Sequence, residues 1–345
     1  MTSMISGWDI GGAHVKVARC DNDGQLIQVV QVACPLWQGI EHLEIAIKAI
    51  FEQLHNQDDL TAITMTGELV DIFKDRQAGV AGILSCLANY IATDNILVYA
   101  AESGWLSPEK AKQSWQQVAS RNWQASATLA AQTVANGLFV DIGSTTCDII
   151  PLIEGLAVPT EIDDFGRQTS RELLYTGAIR TPLIAISQSA PFNGQLVSLA
   201  AEVFATSGDI WCLLGKLDPE SIQDTSADGQ PWDSQACASR IARLLGTDAT
   251  EAEPQQWPQL AQWFAQQQSH QITAAILQVL SAHAKLPLNA PLIGAGVGRF
   301  IVQYCAQQLN RPYQDFHTII SSSDAHASDH APAVAVALLA KQKLQ

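Results

Sequence analysis

Positive charge is scarce in this chain: 19 lysines and arginines stand against 34 acids, for a formal net charge of −15. Nucleic acids are bound largely through Lys and Arg on the phosphate backbone, so this balance argues against a nucleic-acid surface. Paired cysteines are also lacking. The seven cysteines are scattered singly, with no C-x-x-C, which fits reduced thiols serving as small core residues rather than a disulfide framework. No apolar run nears the roughly 18 residues of a membrane span, and no basic segment followed by an apolar one stands at the start. The expectation is a soluble, cytoplasmic protein acting on small molecules, with no nucleic-acid or membrane partner and an open oligomeric state.

What is present suits an enzyme of two domains. The 345 residues are 47% hydrophobic and 15% charged, enough to bury a core in each half. An acidic chain that binds phosphates must concentrate positive field locally, through backbone N–H groups, a few cations and a metal. Mg²⁺ is the expected cofactor on that ground, and the use of ATP stays open.

The rest of the chain is organised around Gly137–Ile150, GLFVDIGSTTCDII, which reads as strand, tight turn, strand. Asp141 ends the first strand. Gly143 lets the turn's N–H groups approach an anion, and Ser144, Thr145 and Thr146 add hydroxyl donors. A second copy, ISGWDIGGAHVKVA, stands at 5–18, with Asp9 at the strand end, Gly11 and Gly12 in the turn and Lys16 in the return strand. One such hairpin is a common structural turn; two, a domain's length apart, are harder to explain that way. A third glycine stretch, Gly294–Gly298, precedes a helical pattern and can set N–H groups against a phosphate or a flat ring.

Between these motifs, alternation predicts a third strand over Gln25–Ala33, and helical spacing predicts a helix over Ile40–Leu54. A strand over Leu60–Thr66, a helix over Val80–Ile91 and a strand over Ile96–Tyr99 follow. The second half repeats the hairpin, with a third strand expected over Leu156–Ile162 and then a long insertion. Helices are expected over Gln235–Leu245, over Trp257–Ala284 with a possible break, and over Phe300–Leu309. A strand around His317–Ile320 and a helix over Pro332–Leu344 complete the pattern.

The two hairpins and the third glycine stretch resemble the phosphate and adenosine motifs of the superfamily of acetate and sugar kinases, heat-shock chaperone ATPases and actin. Closer resemblance is to the hydantoinase/oxoprolinase-related proteins of tetrahydromethanopterin-linked one-carbon metabolism. It is carried by WDIGGA (8–13), MTGEL (65–69), GSTT (143–146), YTGAIRTP (175–182) and SDHAPA (328–333), which span nearly the whole chain. The resemblance implies a two-domain, actin-like (ribonuclease H-like) duplicated α/β fold with a central cleft. The first domain would be 1–136, with 331–345 packing back on it, and the second 137–330 with an insertion around 163–235. It also implies methanofuran-pathway chemistry, in which a furanylmethyl diphosphate is joined to γ-glutamyltyramine.

Each candidate residue has a bland reading beside the functional one. Asp9 and Asp141 are the candidate catalytic and metal-holding carboxylates, or strand-end acids bonded to their own turns. Lys16 is a phosphate cation or a solvated strand lysine. Gly11, Gly12, Gly143, Ser144, Thr145, Thr146, Gly294 and Gly296 are the candidate phosphate-binding groups. Glu68 and Glu102 follow two strands of the first half, where ligands collect, and are second-tier candidates for metal or amine contact, or helix-start acids. Arg167 and Arg180 are second-tier phosphate ligands, with surface ion pairs the favoured alternative. Asp324, His326, Asp329 and His330 are read as a cap before the last helix rather than a metal site. The preferred expectation is an Mg²⁺-dependent transferase with diphosphate as leaving group. The alternatives are an ATP-dependent small-molecule kinase of the same fold and a non-catalytic nucleotide-responsive protein.

Overall fold

The structure, a computed structural model, describes residues 4–344. They form two compact units: residues 4–137 with Leu152–Val158 and 314–344, and Leu138–Pro151 with Pro159–Tyr313. The first unit thus takes in 314–330 as well as the final helix, where the sequence reading gave it 331–345 alone. Hydrogen bonds knit that extra segment together, with Ser328 donating to Asp315 and His317 Nδ1 lying 2.7 Å from Asp315.

In the first unit, β1 (Ile5–Ile10), β2 (His14–Cys20) and β3 (Leu26–Ala33) form an antiparallel meander. After α1 (Glu41–Leu54), β4 (Leu60–Met65) adds parallel to β1; after α2 (Arg76–Leu87), β5 (Ile96–Tyr99) adds parallel to β4. The short β6 (Trp105–Leu106) closes the edge, so the sheet order is β3-β2-β1-β4-β5-β6. Alternation along β1 decides which face meets which helix. Trp8 and Ile10 point into a core with Leu43, Ile47 and Ile50 of α1 and Val80 and Ile83 of α2. Gly7 and Asp9 lie on the other face, where the last helix of the chain packs.

Following α3 (Pro108–Gln113) and α4 (Asn122–Thr133), the hairpin motif repeats as β7 (Gly137–Ile142) and β8 (Cys147–Ile153), with β9 (Leu156–Ala157) pairing back on the end of β8. The insertion holds α5 (Asp164–Ser170), β10 (Leu173–Leu174), α6 (Leu183–Ile186), the hairpin of β11 (Ser189–Phe192) and β12 (Gln195–Ser198), and α7 (Ser207–Leu213). Then come α8 (Ser234–Leu245), α9 (Gln256–Ala282), β13 (Leu292–Ala295), α10 (Arg299–Gln308), β14 (Tyr313–Asp315), α11 (Phe316–Ile319) and α12 (Ala331–Lys343). The second sheet runs β10-β8-β7-β13-β14, with β13 parallel to β7 so that Ala295 stands beside Asp141.

Helix α12 is made of small residues because the sheet comes close to it. A Cβ on Gly7 would lie 2.1 Å from the Ala333 carbonyl oxygen and 2.6 Å from the Ala337 nitrogen. The expected packing of the last helix on the first domain is therefore built on a glycine.

Three local expectations fail. The third strand of the second half is only Leu156–Ala157, because the chain leaves the sheet into the insertion. Helix α9 runs 27 residues without a break, since buried Leu260, Phe264, Gln268, Ile272, Ile276 and Val279 keep one face against the core throughout. The segment around His317–Ile320 is helical, and strand pairing is taken by the preceding Tyr313–Asp315.

Candidate active site

The two hairpins close in the same way. Gly11 N–H donates to the His14 carbonyl at 2.9 Å, and Gly143 N–H to the Thr146 carbonyl at 3.0 Å. Each turn follows a buried strand-end carboxylate: Asp9 is 6% exposed and Asp141 8%.

Around the first hairpin, the sheet register sets four polar residues side by side on one face. Lys16 pairs with Gln31 on one side and Asp9 on the other, and Asp9 pairs with Thr64. Cross-strand partners share a face, so Asp9 stands between an ammonium and a hydroxyl. Lys16 Nζ reaches the Asp329 carbonyl at 3.5 Å, which sets the residues leading into α12 at the level of this row. The Thr64 hydroxyl is fully buried with no hydrogen-bond partner among the described residues. The Gly12 and Ala13 carbonyls accept from Leu36 and Cys34 N–H at 3.0 and 2.7 Å, so the turn is held from its carbonyl side.

The second hairpin is held by a collar from the insertion. The Gly143 carbonyl accepts from Ala178 N–H at 2.9 Å, and the Ser144 carbonyl from Ile179 and Arg180 N–H at 3.1 and 2.9 Å. Gly177 is obligatory there, because its Cβ would sit 2.4 Å from the Ser144 carbonyl carbon. Buried side chains fix the collar: the Gly177 carbonyl accepts from Ser207 Oγ and Gln268 Nε2, both at 2.8 Å, and Gln268 in turn accepts from Trp211 Nε1 at 2.9 Å. With the carbonyls engaged, the half-exposed Ser144, Thr145 and Thr146 hydroxyls make no hydrogen bond to the described residues. This arrangement can receive an anion.

The third glycine stretch is packed onto the same hairpin. Gly296 has φ 78°, and a Cβ on it would lie 2.4 Å from Asp141 Oδ1, while Gly298 N–H donates to the Ile142 carbonyl at 2.8 Å. Gly294 is small for a different reason, since the Tyr313 ring would be 2.6 Å from its Cβ. Arg299 Nη1 donates to the Gly296 carbonyl at 3.2 Å, bringing to this loop a cation that the sequence reading did not single out.

The remaining candidates separate. Arg167 is not a surface arginine: it is 1% exposed, with Nη2 2.7 Å from Asp148 and 3.1 Å from the Glu172 carbonyl. Burial pushes the Asp148 carboxyl up while Arg167 pulls it down, so this guanidinium is committed to a structural pair rather than to a phosphate. Arg180 is 42% exposed, with its Nε 3.9 Å from Asp224, and its backbone is clasped to the turn at Ser144. Glu68 is buried and accepts from Ser120 Oγ at 2.8 Å, and Glu102 accepts from Gln124 Nε2 at 2.8 Å. Asp324 caps the short turn at Ala325–Ser328, His326 pairs with Asp329 at 3.0 Å, and Pro332 stands in the first turn of α12. All seven cysteines are free and buried, and burial lifts the Cys20 and Cys34 thiols to about 12.

Among the described residues no group of three or more His, Cys, Asp or Glu is placed to hold a metal ion. Mg²⁺ does not need one, because it keeps several waters and takes one or two carboxylates together with substrate phosphates. A strand-end carboxylate beside a turn that can receive an anion, present in each unit, fits that donor set.

Two relatives carry the same name, (4-{4-[2-(gamma-L-glutamylamino)ethyl]phenoxymethyl}furan-2-yl)methanamine synthase. The protein from Methanocaldococcus jannaschii is 28% identical over 348 residues, covering 100% of this chain and 99% of the relative. That from Methanococcus vannielii is 36% identical over 116 residues, covering 34% of this chain and 52% of the relative. Among solved structures, nucleotide-free acetone carboxylase aligns over 90% of this chain and 68% of its own with a TM-score of 0.54 and 10% identity, a likeness of fold alone. The fold is α/β, with a mixed sheet in each of two compact units. The hydantoinase/oxoprolinase family profile matches residues 59–343, from β4 through the second hairpin and its collar to α12, and the chain belongs to that family.

Proposed function

We propose that this chain is a synthase that forms an aryl ether between a furanylmethyl carbon and the phenol of γ-glutamyltyramine, releasing diphosphate, in the making of a methanofuran-type carrier. The observation that carries this reading is the full-length similarity to the Methanocaldococcus jannaschii synthase, whose named product contains that phenoxymethyl-furan linkage. A strand-end carboxylate beside a turn that can receive an anion supports it, because a departing diphosphate needs hydrogen-bond donors and counter-charge.

In the reaction the phenol oxygen bonds to the methylene carbon, the carbon–oxygen bond to diphosphate breaks, and its electron pair leaves with the diphosphate. The phenol proton passes to a carboxylate, for which Asp141 is the candidate; a phenol of pKa about 10 yields it only as the new bond forms. Ser144, Thr145 and Thr146 offer donors to the diphosphate oxygens, and Arg180 and Arg299 bring cations to the same unit. Asp9 and Asp141, each within its own unit, are the carboxylates that would hold Mg²⁺, which would supply charge neutralisation for the leaving group. Lys16 keeps positive charge beside Asp9.

The test incubates the protein with an aminomethyl-furanylmethyl diphosphate, γ-glutamyltyramine and Mg²⁺, following diphosphate release and the ether product by mass spectrometry. Product formation without ATP, lost in Asp141→Asn, is the expected result. Consumption of ATP coupled to phosphorylation of an acceptor would replace this reading with a kinase.

A further inference from the structure

The collar that holds the second hairpin also carries an aromatic side chain to it. Antiparallel pairing sets Leu174 opposite Cys147, and three residues on, a Cβ at Gly177 would lie 2.4 Å from the Ser144 carbonyl carbon. Counting between those two points places Tyr175 across from Thr146 and Thr176 across from Thr145. Alternation then divides the two collar residues. Thr176 is buried, its Oγ1 accepting from Gln268 Nε2 at 3.1 Å, whereas Tyr175 is 57% exposed. Cross-strand partners share a face, so Tyr175 stands on the face of Thr146.

Single exposed aromatics are ordinary on protein surfaces. Tyr175 differs in what holds its backbone. Leu174 before it is buried in β10, and Thr176 and Gly177 after it are both bonded to the fully buried Gln268. A ring with two side-chain torsions on so fixed a backbone presents a rigid contact surface with little conformational entropy left to lose. Such a surface beside a turn that can receive an anion suits a ligand in which a flat ring lies close to a phosphate.

We infer that Tyr175 is a specificity-determining residue whose ring packs on the furan of the diphosphate substrate. This assignment rests on the proposed reaction, in which a single methylene separates the furan from the diphosphate. A diphosphate held by the Ser144, Thr145 and Thr146 hydroxyls therefore brings the furan within reach of the residue opposite Thr146. The phenol of γ-glutamyltyramine has no such tie to the anion. Aromatic pairs gain beyond the area they bury, and the face of an electron-rich ring also attracts the positive charge that develops on the methylene carbon as its bond to diphosphate breaks.

The experiment is calorimetry on the full chain with Mg²⁺ and two stable probes, in which a carbon–phosphorus bond replaces the breakable carbon–oxygen bond: furan-2-ylmethylphosphonyl phosphate and methylphosphonyl phosphate. Wild type, Tyr175→Ala and Tyr175→Phe are compared, with thermal unfolding as the check that the collar is intact. Tyr175→Ala is expected to weaken the furan probe about tenfold and the methyl probe less than about twofold. Tyr175→Phe, which keeps a ring, should restore the preference for the furan probe. Equal weakening of both probes in Tyr175→Ala, weakening of neither, or a wild type that does not prefer the furan probe overturns the assignment. In turnover, Tyr175→Ala should raise KM for the furanylmethyl diphosphate; a rise confined to γ-glutamyltyramine also overturns it. If wild type forms no ether yet its preference for the furan probe is lost in Tyr175→Ala and kept in Tyr175→Phe, the Tyr175 contact stands and the proposed reaction falls. If the ether forms and Tyr175→Ala does not separate the probes, the contact falls and the reaction stands.

Discussion

The two hairpins have the same turn hydrogen bond and the same Asp-Ile-Gly sequence, yet their surroundings differ in kind. The first is braced by its sheet: Lys16 and Thr64 flank Asp9 by register, and the turn's carbonyls are taken by the loop after β3. The second is braced by chain inserted far away in sequence, the Gly177 collar and the Gly296 loop, which take the carbonyl side and crowd Asp141. The same local turn therefore becomes two environments. One joins a carboxylate to a lysine; the other frees three hydroxyls and brings Arg180 and Arg299 near.

The largest expected effect breaks the comparison at its carboxylates. Asp141→Asn should lower turnover by about a thousandfold, the scale of losing a catalytic proton acceptor, and Asp9→Asn should act mainly on Mg²⁺ dependence. Diphosphate release across a Mg²⁺ titration reads both.

Backbone crowding comes next. Gly177→Ala forces a Cβ against the Ser144 backbone and should destabilise by about 2–4 kcal/mol in thermal or urea unfolding. The two turn glycines should then part company. A Cβ on Gly11 would lie 2.9 Å from the His14 carbonyl oxygen, whereas on Gly143 it meets nothing nearer than 3.9 Å. Gly11→Ala is expected to cost about 1–2 kcal/mol and Gly143→Ala less than about 0.5 kcal/mol, measured in the same way.

A smaller effect tests how the second unit's insertion is stapled. Desolvation pushes the Asp228 carboxyl up, but Arg243, the Gln230 N–H and Arg240 outweigh it and bring the group down to about 2. A carboxylate whose folded pKa lies below its unfolded value, about 4, stabilises fully above pH 4, and the contribution is lost as pH falls from 4 to 2. Asp228→Asn should flatten that part of the stability–pH curve followed by urea midpoint. The smallest change is expected for Thr64→Val, which removes an unpartnered buried hydroxyl at nearly constant shape. Stability should move by less than about 1 kcal/mol, so any loss of turnover would report a role for that hydroxyl beside Asp9.

Much of the fold was legible because its signals are local. Asp9, Asp141 and their turns declare themselves by an apolar run ending on an acid and a glycine, and α1, β5 and α8 follow from spacing within a dozen residues. Arg167 was not legible. Nothing in DDFGRQTS announces that its guanidinium is buried on Asp148, a pairing between residues 19 apart that exists only once β8 and α5 pack. Gln124 was missed for the same reason, since its polar group gains meaning only beside Glu102, 22 residues earlier. Thr64 carried a faint signal, one of two hydroxyls in a mostly apolar strand, whose value depended on register with β1.

The sequence by itself determined the repeated strand–turn–strand units, the small-residue last helix and the membership of the family, because each is written in contiguous residues or in order along the chain. Only the tertiary structure decided which glycines make room for which atoms, which arginine is buried and which stays near a turn, and which side chains hold the turns after β4 and β5. Those are matters of distance between segments remote in sequence, and side-chain packing and hydrogen bonding fix them only when the chain is folded.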